Sequence, residues 1–150
     1  EIKIGVVDFQ RIYSSSDGGK KIEAEMSCQL KAMRNDLQKQ KDELDELASR
    51  YERESAIMDK GVREEKQREL RIKSNDLQTE NKRYEGKMQD LQRSLMSQLR
   101  RELGRVIDKV AKEQGYTIVL DSQVVYYRID AIDLTDQIIP LITAAFVRVD

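Results

Sequence analysis

The chain has 150 residues, a formal net charge of −1, 39% hydrophobic and 37% charged residues, and only 5% aromatics with no Trp. That length suits one ordinary domain, and the low apolar share suits an extended helical protein better than a compact globule. The absence of His removes Ser-His-Asp and Cys-His catalysis and the commonest zinc ligand, a lone Cys28 can close no internal disulfide, and the near-neutral charge gives no bulk attraction for nucleic acid.

In chain order, residues 3–9 form a short apolar run and read as a strand, with Ile4, Val6 and Val7 as its core candidates. Gly18-Gly19 reads as a break before a long helix capped by Ser16 or Asp17. A charged, Pro-free block follows from about 17 to 114 and carries a heptad period. Met26, Leu30, Met33, Leu37, Gln40, Leu44, Leu47, Tyr51, Glu54 and Met58 alternate by four and three. The stripe resumes through Leu70, Ser74, Leu77, Asn81, Tyr84, Met88, Leu91 and Leu95, then stutters through Leu99, Leu103, Val106 and Val110.

Such a block folds either as one continuous rod or as an antiparallel helical hairpin. The two seams have similar lengths on either side of Gly61, and glycine suits a helix end, which favours a hairpin turning near 59–61. Folding about residue 61 sets Leu44 beside Leu77, and each arm then reaches about 60 Å. Gln40, Glu54, Ser74 and Asn81 at seam positions either select the register or, with Gly61 and Gly86, leave the arms weak enough to flex or splay. Cys28 falls on the outward side, as a small surface residue. The basic residues Lys82, Arg83, Lys87, Arg93, Arg100, Arg101, Arg105 and Lys109 form a solvated face that also suits contact with anionic lipid.

Residues 116–128 return to β-branched and aromatic composition and read as two strands joined at Asp121-Ser122-Gln123. Ile118, Val119, Leu120, Val124, Val125 and Tyr126 are their body-forming candidates. Pro140 then interrupts a final helix. The domain division expected is a discontinuous β-rich body, 1–20 with 112–150, and a hairpin over 21–111. A body that small is marginal alone and exposes strand edges, so strands from several copies are expected to close into one barrel. No nucleophile, phosphate loop or metal cluster is legible, so neither an enzyme nor a cofactor is expected.

Taken together, the opening Lys3-Ile4-Gly5-Val6-Val7-Asp8 strand, the charged hairpin, the Gly115-Tyr116-Thr117-Ile118-Val119-Leu120-Asp121 return, the Val124-Val125-Tyr126-Tyr127 segment and Ile132-Asp133-Leu134-Thr135-Asp136-Gln137-Ile138 resemble the OmpH family of Skp-like chaperones. The resemblance covers essentially the whole chain. It implies an α+β, mainly α fold: a homotrimer with a small β-barrel body and one helical-hairpin tentacle per protomer. It also implies an ATP-independent holdase in the periplasm, its signal peptide removed, that encloses unfolded outer-membrane proteins. A structural coiled-coil adaptor and a prefoldin-like chaperone are the competing readings. No residue is assigned a client contact.

Overall fold

The structure, a computed structural model, describes residues 1–149. Its elements in order are strand β1 (Ile4–Val7), helix α1 (Phe9–Ser15), helix α2 (Asp17–Glu54), helix α3 (Lys60–Gln114), strand β2 (Ile118–Asp121) and the short helix α4 (Thr135–Ile138). Single 3₁₀ turns occupy Ser55–Ile57, Ser122–Val124, Asp130–Ile132, Ile139–Leu141 and Ala144–Phe146. The chain divides into two compact units: Glu1–Met26 with the segment from Leu91 onward, and Ser27–Asp90.

The terminal unit is built on a sheet of two parallel strands, with Ile4 opposite Ile118 and Val7 opposite Asp121. Asp133 bridges Val6 on the other side of β1. Against this sheet pack Leu95, Leu99, Leu103, Val106 and Val110 of α3, with Ile12, Ile22, Leu134, Ile138 and Ile142. The four-residue steps of the stuttering stripe therefore have a plain cause: that stretch of α3 lines a globular core. Leu95 and Leu99 are fully buried, and truncating a side chain of that kind to Ala costs about 2–5 kcal/mol.

Helix ends explain the local path. Asp8 caps α1 by accepting a hydrogen bond from the Arg11 amide at 3.2 Å. Ser16 is extended and fully buried, and its hydroxyl accepts from the Gly19 amide at 3.0 Å, so it caps α2. Gly18 and Gly19 do not break the helix, as the sequence suggested; they lie buried in its first turn. Gly115, at φ 71°, ends α3 in the left-handed conformation that glycine adopts freely. Pro140 sits in the 3₁₀ turn after α4, which ends the helix.

Residues 116–128 do not form two strands. The Asp121 carboxylate accepts from the Gln123 amide at 3.0 Å and closes a 3₁₀ turn at Ser122–Val124. Val124-Val125-Tyr126-Tyr127 forms no strand in the protomer, and among the described residues β2 pairs only with β1.

The hairpin unit reverses direction at Ser55–Asp59, and Gly61 lies within the first turn of α3. An arginine organises this turn where the sequence pointed to a glycine. The Arg63 guanidinium donates to the carbonyls of Ser55 and Met58, both at 3.1 Å, and so satisfies acceptors that a helix end leaves open. Replacing Arg63 with Ala is expected to cost about 1 kcal/mol locally. Faster amide hydrogen exchange at 55–60, with unchanged exchange at Leu95–Val110, would register it.

Candidate functional site

Three features of the chain bear on function: the open surface around the strand pair, the polar lock that holds the C-terminal segment to β1, and the seam of the hairpin. Among the described residues, no group of His, Cys, Asp or Glu is placed to hold a metal ion, and no helix is long and apolar enough to cross a membrane.

The strand pair is buried unevenly along its length. Val6 and Val7 are buried and Val119 packs on the core, whereas Ile4 and Ile118 are exposed. Leu120 and Val125 are half-buried. Beyond β2, Val124, Tyr126, Tyr127 and Ile129 are exposed, with Tyr126 entirely in solvent at 109%. Sequence reasoning placed Val124, Val125 and Tyr126 in paired strands; in the protomer Val124 ends a 3₁₀ turn, the chain bends at Tyr126, and none of the three pairs with a strand. Lys3 ties the sheet to the end of α3: its amide donates to the Thr117 hydroxyl at 2.9 Å and its ammonium to the Gln114 carbonyl at 2.7 Å, above the Tyr116 ring.

The polar lock centres on Asp133. Its carboxylate accepts from the Thr135 amide at 2.9 Å, the Thr135 hydroxyl at 2.5 Å and the Arg128 guanidinium at 2.9 Å. Thr135, itself fully buried, accepts in turn from the Asp8 amide at 2.9 Å. The chain thus joins the end of β1 to the start of α4 through one network. Burial pushes the Asp133 carboxyl up, but the Thr135 hydrogen bonds and Arg128 outweigh it and hold the group below the usual carboxylate range. A depressed folded pKa adds stability that is fully present above the unfolded value, near 4, and is lost as pH falls through the folded value. Thermal unfolding between pH 7 and pH 2 should show this loss in the acid window. In an Asp133→Asn chain, already weaker at pH 7, the acid slope should be shallower.

In the hairpin unit, the seam residues Leu30, Leu37, Leu44, Leu47, Tyr51, Leu70, Leu77 and Tyr84 are half-buried, and Leu91, just past it, packs against the terminal unit's core. The register is fixed by a polar pair. The Tyr84 hydroxyl donates to Asp36 at 2.6 Å, and the Gln40 amide donates to the same carboxylate oxygen at 2.8 Å. Hydrogen bonding to Asp36, then burial and Glu80, push the Tyr84 hydroxyl up to about 12. The Arg83 guanidinium holds the Glu80 carboxyl down at about 2. Asn81 turns out of the seam and donates to Glu85. Near the turn, Leu47, Tyr51, Met58 and Leu70 line a cavity of about 50 Å³. Further along, open grooves are lined by Leu37 with Leu77 and by Met33 with Met88. Ile57, Val62 and Ile72 are exposed, and so is Cys28. Of the basic face, Arg83 pairs with Glu80, Arg105 pairs with Glu102, and Arg100 lies over the Phe9 ring.

Comparison with known proteins accords with this architecture. The family model described as "Outer membrane protein (OmpH-like)" matches residues 3–142. No curated protein matches the chain. The solved structure of a candidate outer membrane chaperone (OmpH-like) from Caulobacter crescentus CB15 superposes with a TM-score of 0.90 at 20% identity, covering 98% of this chain and 86% of that one. At that identity the likeness establishes the fold. With nearly its whole length matched by the family model, the chain belongs to the OmpH-like family.

Proposed function

We propose that this protein is an ATP-independent holdase of the periplasm that keeps unfolded outer-membrane proteins from aggregating. In this reading it acts as a homotrimer: the strands of three copies close one barrel, and the helical hairpins of the three copies wall a shared cavity. The observation that carries the proposal is the group of exposed apolar residues Val124, Tyr126, Tyr127 and Ile129, which pair with no strand, just after β2, which pairs only with β1, in a chain that also carries a half-buried helical hairpin. An exposed strand edge with apolar neighbours is a surface that pairs with another chain. Family membership supports the chaperone role.

Holding without fuel follows from weak, multiple contacts. Apolar client surface gains about 25 cal/mol per Å² buried, which ordering costs largely offset. Several such contacts presented together retain a client that stays mobile and can leave unaided. The seam residues are half-buried, and the grooves they line leave apolar side chains within reach of solvent. Anionic lipid head groups are a second partner of this proposal, through the basic face of α3 that includes Lys82, Lys87, Arg101 and Lys109. Light scattering during dilution of a denatured outer-membrane β-barrel protein tests the assignment. Suppression without ATP at a stoichiometric amount of trimer is expected; unchanged aggregation would sink it.

A further inference from the structure

Residues 143–149 lie beyond the segment that the family model matches, yet they are docked on the terminal unit. Two contacts hold them. Phe146 lies in a notch floored by Gly18, which is buried: a Cβ on Gly18 would meet the Phe146 ring at 2.4 Å and the Ile142 side chain at 2.9 Å. Two residues on, the Gln98 carboxamide grips the main chain of Arg148 from both sides. Its Oε1 accepts from the Arg148 amide at 2.7 Å, and its Nε2 donates to the Arg148 carbonyl at 2.8 Å. The Arg148 side chain takes no part in that grip, since its guanidinium turns back to the Ala145 and Val147 carbonyls.

The chemistry of this seat is general. A carboxamide that reads one amide and one carbonyl selects no side chain, because every residue but proline offers that pair. The single selective element is an aromatic ring two residues earlier, set against a glycine that leaves room for it. We propose that Gln98 and the Gly18 notch form a binding site for an unfolded polypeptide segment carrying an aromatic residue, and that residues 143–149 occupy this site as a competitor in cis. This rests on the holdase reading and deepens it: the ligand class is unfolded, aromatic-bearing polypeptide. A tail tethered at Ile142, four residues from its ring, stays at high local concentration, so a segment in trans competes well only once the tail has left.

Fluorescence anisotropy with a labelled synthetic peptide of residues 143–149 tests the proposal. The protein is a chain ending at Ile142, with Phe146→Ser combined with Arg148→Pro, which removes the amide that Gln98 reads, as a second vacated form should the shortened one not fold. Binding to the vacated forms should be at least about tenfold tighter than to the full chain, since the tethered tail no longer competes. Replacing the peptide's Phe with Ala should weaken it about tenfold, as loss of one buried aromatic implies. Gln98→Ala in the vacated chain should weaken it as well. An unrelated unstructured peptide with one Phe should displace the probe, and its Ala version should not. Equal binding by the full and vacated chains, indifference to the Phe, or displacement by no foreign peptide would each overturn the proposal and leave the tail a strap. Aggregation suppression by the full chain is read separately, so failure of the holdase reading is distinguishable from failure of this site.

Discussion

Gly19→Ala is expected to unfold the terminal unit at temperatures where the native chain is stable. A Cβ at this position would stand 1.7 Å from the Tyr13 carbonyl oxygen and 2.6 Å from its carbon. The obstacle is main chain, so no rotamer change relieves it; α1 or the start of α2 must move. Movement there disturbs the Ser16 cap, whose hydroxyl accepts from the Gly19 amide, and the buried Ile12 and Ile22 on either side. Overpacking against side chains typically costs about 1–3 kcal/mol, and a main-chain clash exceeds that. A melting temperature lower by about 10 °C or more is the expected reading in circular dichroism. Gly61 and Gly86 supply the control. Each lies in α3 with open space where a Cβ would go, so alanine there should stabilise by about 0.5–1 kcal/mol. Destabilisation of similar size at all three glycines would contradict the packing described.

Tyr126→Asp is expected to dissociate the assembly while leaving the protomer folded. Tyr126 is fully exposed in the protomer, so a carboxylate there disturbs no internal contact. If the segment pairs with a neighbouring copy, the same carboxylate is buried without a partner in every interface. That cost is about 2 kcal/mol or more per site, or about thirtyfold in affinity for each interface. Sedimentation equilibrium at micromolar concentration should report three chains for the native protein and one for the variant, with unchanged helical signal. Ile57→Asp, at an equally exposed apolar residue in the hairpin turn, should leave the mass at three. A native monomer, or a Tyr126→Asp trimer, would contradict the assembly proposed.

The hairpin was legible because heptad spacing is a local property of the sequence: the half-buried seam in the structure follows the predicted stripe through Leu30, Leu37 and Leu44 and back through Leu70 and Leu77. The turn was misplaced by a few residues because glycine marks a helix end only by propensity. Arg63 closes the turn from eight residues beyond Ser55, and sequence offers no signal for that reach. The two-strand reading of 116–128 failed for a related reason. β-branched and aromatic composition marks residues suited to a sheet, but a strand also needs a path that lays it along a neighbour, and here β2 runs straight into the 3₁₀ turn at Ser122–Val124. Gly18-Gly19 looked like a helix break because propensity takes no account of close packing, which is why both glycines are there. The Asp133 lock could have been anticipated in part: Asp-Leu-Thr is a cap-like spacing, and the Asp133 carboxylate accepts from the Thr135 amide.

The central claim is that the helical hairpins do the holding, and in-register shortening tests it most directly. Asp36 bonds to Tyr84, so removing residues 37–43 together with 77–83 deletes one heptad from each helix and keeps that pair and the native turn. The terminal unit is untouched by the deletion. Light scattering during dilution of denatured outer-membrane proteins of increasing size, without ATP, should show full protection by the intact trimer. The shortened trimer should keep small clients soluble and lose the large ones first. Equal protection of every client by both forms, with the trimer intact, would contradict the account.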